Sequence, residues 1–229
     1  MEKAIAALGK EKSTTRHMHI GPDAHALTFP VAGGTLLNVV AFVTDPEDWP
    51  YKDKLTGPGS KAEAVRAFEK FRPEIRAIID LLPENLDRWA VFDTLKNPAP
   101  TYAKGRISVS GDAAHASSPH HGAGAGFCIE DAAVIATLLQ AVQAESQNTG
   151  PSRANLIRTA FEVYDKVRLE RTQWLVETSR FVGELYEWQH GSNPVFIGKE
   201  IDWRSHKIWD YNIDEMMRGT DDEFKRRLT

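Results

Sequence analysis

The 229 residues hold 28 Lys+Arg against 32 Asp+Glu, a formal net charge of −4, with 41% hydrophobic and 26% charged residues. That balance is average for a soluble globular protein, long enough for one large domain or two small ones. It offers no basic run for nucleic acid or an anionic membrane, no apolar run near the ~20 residues of a membrane span, and one cysteine, Cys128, so no intrachain disulfide.

The first ten residues are too short and too charged for a secretory leader. They predict a short helix ending near Gly9, and a cytoplasmic location is expected. Gly21-Pro22-Asp23 marks a turn. Residues 24–31 alternate loosely, Gly33-Gly34 makes a hairpin turn, and residues 36–43 are apolar and β-branched, which predicts an antiparallel pair of strands. Residues 44–60 read as loop. Residues 60–80 read as helix, with Ser60 as N-cap and Glu63 as its capping-box partner; Pro73 splits it in two. Strands are expected at 87–93 and 107–110, with loop over 94–105. A glycine-rich loop covers 111–126. One helix follows from about Cys128 to Gln143, then a linker over 147–152, then a long helix over 153–190. Residues 191–229, rich in Trp and charge, carry no clear pattern.

The chemistry is concentrated between Gly105 and Ala132. A strand ends at Gly111-Asp112, so a carboxylate stands at a strand end, where it can accept hydrogen bonds from ligand hydroxyls. A loop follows with Gly122, Gly124 and Gly126 at alternate positions. Glycines let a flat or anionic ligand approach the backbone. The helix that follows begins with unpaired N–H groups and the positive end of its dipole, a setting for an anionic or electron-rich ring edge.

The string Gly105-Arg106-x-x-x-x-Gly111-Asp112-Ala113-Ala114-His115-Ala116-x-x-Pro119-x-x-Gly122-x-Gly124-x-Gly126-x-x-x-Glu130-Asp131-Ala132 resembles the second flavin-binding motif of class A FAD-dependent aromatic monooxygenases, of the salicylate hydroxylase-like kind. Arg88-Trp89-x-x-Phe92-Asp93 is similar to the strand that approaches the motif. Tyr164-x-x-x-Arg168-x-x-Arg171-Thr172 with Ser179-Arg180 is similar to the family's C-terminal helix. Leu27 to Val31 and Asn38 to Phe42 are similar to its substrate-domain hairpin. The resemblance covers roughly residues 1–190.

The resemblance implies an α/β (α+β) chain: a truncated FAD/NAD(P)-binding fold of the para-hydroxybenzoate hydroxylase kind, with an antiparallel substrate-side sheet and a long C-terminal helix. It implies a partial substrate-binding domain over 1–100, a partial FAD-binding domain over 101–190 and an extension over 191–229. FAD is the implied cofactor and NAD(P)H the reductant. Arg106, Gly111, Asp112, Pro119, Gly122, Ala123, Gly124, Ala125 and Gly126 are the implied cofactor contacts, with Asp112 on the ribityl hydroxyls and the glycine-loop amides at the N1/O2 edge of the ring. The resemblance also implies that Pro119 would lie over the flavin. His25 and Phe29, with Pro119, are the implied substrate-pocket residues. Glu130 and Asp131 are expected in the first turn of the helix.

The family's Gly-x-Gly-x-x-Gly turn and its middle Asp-Gly motif are absent from this sequence. The family chain is therefore expected to carry on the order of 150–200 further residues ahead of Met1. Without that unit, FAD is expected to bind weakly or not at all. An exposed face is then expected, covered by a second copy or another chain.

Blander assignments compete. His115 is read as packed and hydrogen-bonded rather than a ligand contact. His120 and His121 are adjacent, so their side chains diverge; His17 and His19 share a strand face, but no third metal ligand converges on them. Phe29 suits core and pocket equally. Cys128, near a helix start, is either a lowered-pKa thiol or a buried inert one. No Gly-x-Ser-x-Gly elbow supports a serine hydrolase. The tail aromatics Trp188, Trp203, Trp209, Tyr186 and Tyr211 suggest packing or oligomer contact, and 221–227 a solvated or disordered helix end. Two functions follow: hydroxylation of an aromatic or phenolic ring with NAD(P)H and O2, or a redox-inactive homologue. The second would bind a small aromatic molecule or act as a cofactor-independent cyclase or isomerase, with acid–base help from His25, His120 or His121; with Pro119, which the resemblance sets near the reacting carbon of the flavin, these are the catalytic candidates.

Overall fold

The computed structural model describes residues 1–147 and 150–229. These form two compact units, one from residues 1–90 with 183–197 and the other from 91–182 with 198–229.

The first unit opens with two short helices, α1 (Glu2–Leu8) and α2 (Lys10–Thr14), divided at Gly9 as the sequence suggests. A three-stranded antiparallel sheet follows: β1 (His17–Gly21), β2 (Ala24–Val31) and β3 (Leu36–Val43), in that order. The turn at 22–23 and the Gly33-Gly34 turn set its register, which pairs Ala24 with Val43 and Val31 with Leu36. Alternation then puts Ala24, Ala26, Leu37 and Val39 on one face. There they join Ala4 and Leu8 of α1 with Phe68, Phe71, Ile75, Ile78 and Ile79 in a continuous apolar core. α3 (Lys61–Ala67) and α4 (Pro73–Ile79) are the two halves of the helix that Pro73 divides. Ser60 caps α3, and both hydrogen bonds of the capping box with Glu63 are present.

A second sheet, β4 (Thr56–Ser60) with β5 (Asn85–Trp89), departs from expectation in two ways. Thr56 to Ser60 lies in the segment read as loop, and the strand expected over 87–93 stops at Trp89. A stretch reading Thr-Gly-Pro-Gly-Ser has little strand propensity. It is extended here because it is one of only two strands, where proline costs no ladder bond on its open edge.

In the second unit a small hairpin, β6 (Ala103–Lys104) and β7 (Ile107–Ser108), turns at Gly105. One helical turn, α5 (Asp112–His115), and a 3-10 turn at Pro119–His121 occupy the segment read as continuous loop. α6 (Gly124–Glu145) begins four residues before Cys128, so Glu130 and Asp131 stand in its second turn and not its first. Glycines disfavour a helix but do not forbid it when the downstream turns already hold the hydrogen-bond ladder. α6 is also long and apolar enough, by length and composition, to cross a membrane, contrary to the expectation that no apolar run approaches that length. Its Val134, Leu138 and Val142 pack with Tyr102, Leu156, Ala160, Val163, Tyr164, Met216 and Phe224 in a protein core.

α7 (Arg153–Tyr186) ends four residues before the expected limit; the chain then turns, with Trp188 at φ +58 and Gly191 at φ +92. Positions 148 and 149 of the expected linker lie outside the described residues. The unpatterned tail is helical: α8 (Pro194–Trp209) and α9 (Ile213–Arg226). Met216, Thr220 and Phe224 form the buried stripe of α9, spaced four apart. The stretch 221–227 is thus ordered helix, with Glu223 bonded to Lys166, Arg226 and Arg227. Every paired strand described is antiparallel.

Candidate functional site

The site is built around one sharp backbone feature. Gly111 sits at φ +58 and ψ −143, a region open in practice only to glycine. A Cβ there would also stand 3.1 Å from Cys128 Sγ. This bend carries the chain out of the strand and leaves Asp112 exposed beside the loop. Pro119, Gly122, Ala125 and Gly126 are exposed as well, while Ala123 and Gly124 are half-buried. No atom lies within 4 Å of a Cβ built at Gly122 or Gly126, and Ser117 Oγ at 3.7 Å is the nearest to one at Gly124. The backbone there faces free space that a flat ligand can occupy.

No side chain caps α6. The N–H groups of Gly124, Ala125 and Gly126 have no carbonyl one turn earlier within the helix, and the dipole adds partial positive charge at this end. A carboxylate, a rigid proline, open glycines and uncapped amides are thus drawn together along 112–126. Arg106 lies apart from them in sequence, exposed in the turn of the β6–β7 hairpin.

Beneath the loop is a buried charge network. Asp131 is almost wholly buried and accepts three hydrogen bonds: from Gly111 N–H at 2.9 Å, from His115 Nε2 at 2.7 Å and from Arg168 Nε at 2.8 Å. Burial alone would raise its pKa, but the bonds from His115, Gly111 and Arg168 outweigh burial and hold the carboxyl below its ordinary value. His115 is therefore a packed partner of Asp131 at the back of the loop. Arg168, wholly buried, also reaches Glu130 at 2.6 Å and the Phe127 carbonyl at 3.3 Å. The sequence offered Arg168, Arg171 and Asp131 only as family-like positions. Their convergence joins residues 37 apart in the chain, which no local pattern reveals.

The neighbouring histidines diverge as expected. His120 Nδ1 bonds Ser118 Oγ at 2.9 Å, and His121 Nε2 meets Thr178 Oγ1 at 3.3 Å. Burial, with Arg204 nearby, lowers the His121 pKa to about 4, so the ring is neutral near neutrality. The Cys128 thiol, far from being activated, is pushed up by burial and by Asp112 and Asp131. It is the fifth residue of α6, past the end of the helix where a dipole would help it.

The other candidates belong to the first unit. His25 is fully buried, stacked on Phe42 at 4.5 Å, and its Nδ1–H donates to Glu187 Oε1 at 3.0 Å. Thr44 donates to the second carboxylate oxygen of Glu187. Glu187 lies 162 residues from His25, and no sequence signal points to it. Phe29 is half-buried opposite Asn38, on the sheet face away from the α1 and α4 core. His17 and His19 do share the other face, with ring centroids 6.2 Å apart; burial and His17 lower the His19 pKa to about 4.

The chain is similar to known proteins along its whole length. The FAD binding domain family matches residues 50–162. An FAD-dependent monooxygenase, pigN, of Monascus ruber is 57% identical over all of this chain and 53% of its own length. Salicylate hydroxylase asL1 of Sarocladium schorii is 41% identical over 99% of this chain and 50% of its own. Among solved structures, a salicylate hydroxylase substrate complex superposes with a TM-score of 0.79 at 32% identity, over 96% of this chain and 52% of that one. CtdE in complex with FAD and substrate shares the fold, with a TM-score of 0.70 at 16% identity. The chain spans about half the length of the curated relatives it matches. Along its whole length the chain is similar to FAD-dependent monooxygenases, salicylate hydroxylase-like ones among them, and it carries a match to the FAD binding domain over residues 50–162.

Proposed function

We propose that the chain supplies the ribityl- and ring-binding part of an FAD-dependent monooxygenase that hydroxylates an aromatic or phenolic substrate with NAD(P)H and O2. One observation carries this: the backbone at Gly122 and Gly126 is unobstructed, the first turn of α6 has no side-chain cap, and a buried charge network holds the segment in place. The residues present fit that half of FAD, since open glycine backbone admits a flat ring and an exposed carboxylate accepts from hydroxyls. Bound FAD would supply the redox and oxygen chemistry.

The protein's part is positional and electrostatic. Asp112 would anchor the ribityl hydroxyls. The amides of Gly124 to Gly126 would face negative charge on the ring edge, as donors aimed where charge develops. Pro119, lacking an N–H and fixed in φ, would give the loop a rigid apolar contact. Phe29, on the half-open sheet face, offers a ring surface to an aromatic substrate. A cofactor-independent acid–base role has less support: His25 is fully buried and engaged with Glu187, and His121 is held neutral by burial.

Purified chain titrated with FAD tests the proposal. Uptake should quench flavin fluorescence, and Asp112→Ala should weaken it by roughly tenfold, the loss of about one charge-assisted contact. A protein that takes up no FAD at millimolar concentration rejects the proposal for this chain alone.

A further inference from the structure

The first turn of α6 contains two glycines and no side-chain cap, so by itself it would fray. A site that depends on those amides needs them held from outside, and the structure shows what holds them. Arg171 grips both oxygens of Glu130, with Nε at 2.9 Å from Oε2 and Nη2 at 2.8 Å from Oε1. Its guanidinium carbon lies 4.5 Å from the centroid of the Phe127 ring and 3.4 Å from that of Tyr211. Its Nη atoms also reach the Lys207 and Ile208 carbonyls, at 3.4 and 3.5 Å, in the last turn of α8. Carbonyls at a helix C-terminus carry the negative end of the dipole and favour a cation. Arg168 completes the contact, between Glu130, Asp131 and the Phe127 carbonyl on one side and Met216 Sδ of α9 at 3.3 Å on the other.

We propose that Arg171 is a positioning residue, clamped by Tyr211 and the end of α8, through which the C-terminal helices brace the start of α6 and with it the loop that faces the flavin. The proposal rests on the flavin assignment above for its functional meaning; the brace itself does not. The tail is then part of the cofactor site's support and not a separate appendage. Lysine cannot replace Arg171, because a point charge neither forks onto both oxygens of Glu130 nor stacks as a plane between two rings. Tyr211 acts through its ring, so phenylalanine should serve in its place.

Two measurements on the 229-residue chain test this, with Tyr211→Ala, Tyr211→Phe and Arg171→Lys. Without FAD, amide exchange at Gly111 and at Phe127 and Cys128 should run about tenfold faster in Tyr211→Ala and Arg171→Lys, while core amides of Val163 and Tyr164 keep their protection. Tyr211→Phe should match the parent. With FAD, the first two variants should bind roughly tenfold more weakly and the third as the parent does, because small misplacement of binding groups is costly. Unchanged loop exchange in both Tyr211→Ala and Arg171→Lys overturns the brace. So does an equal loss of protection throughout the unit, which would mark a general folding role. If the parent takes up no FAD while loop exchange responds as stated, the flavin assignment falls and the brace stands. If FAD binds and the loop does not respond, the reverse holds.

Discussion

Single residues decide how the loop is held. Asp131 and Arg168 are buried ions whose partners are each other and their neighbours. Removing one charge strands the rest: Asp131→Asn should cost about 3–5 kcal/mol, read as a lower urea midpoint at neutral pH. Gly111→Ala should cost about 1–3 kcal/mol, since its backbone region excludes side chains. Adding Cys128→Ala should recover only the part due to the sulfur 3.1 Å away. His19 and His121 govern acid sensitivity. Both have folded pKa values of about 4 against an ordinary 6.5, so the unfolded chain binds protons more readily in that window. Their contribution is constant above pH 6.5 and drains away as pH falls toward 4. His19→Gln and His121→Gln should each flatten the fall in urea midpoint over that range. The Asp131 carboxyl acts in the same sense in a lower window: its folded pKa is depressed too, so its stabilisation persists to more acid pH and is lost only as pH falls below the usual carboxylate range.

At the level of elements, patterning and punctuation located most helices. Ser60, Glu63 and Pro73 define α3 and α4 from the sequence alone, because caps and proline act within a few residues of themselves. The start of α6 was misplaced for an instructive reason. Gly124 and Gly126 read as loop locally, yet turns held by Arg168 and Arg171 carry the helix back over them. This sets up a trade between stability and function. Gly126→Ala should stabilise the chain by about 0.4–1 kcal/mol, since nothing lies within 4 Å of the added methyl. The same methyl should weaken FAD uptake by covering the open backbone. Equal or better FAD binding in that variant would show that the ring does not lie there. β4 was invisible for another reason: its pairing with β5 joins Thr56 to Trp89, and only that partner makes the segment extended.

For the molecule as a whole, the outer face of α6 matters most. Ala125, Ile129, Ala132, Ala136 and Leu139 fall at helical spacing and all are exposed, Ile129 by 70% and Leu139 by 45%. An apolar stripe of this kind favours association. The chain should therefore self-associate with increasing concentration in analytical ultracentrifugation, and Ile129→Lys with Leu139→Lys should shift it to monomer. A monomer at all concentrations would mean the stripe needs no cover in solution.

Amino-acid order alone was enough to reveal the likeness to flavin-dependent monooxygenases, the hairpin of the first sheet and the bare glycine backbone ahead of α6. Each rests on short-range rules: glycine where backbone must be bare, alternation where a strand has a buried face, caps where a helix begins. It could not reveal that Glu187 holds His25, that Asp131 and Arg168 pin Gly111, or that Tyr211 clamps Arg171. Those contacts join groups from 20 to 162 residues apart, and such pairings come into being only when the packed chain brings distant groups out of water together.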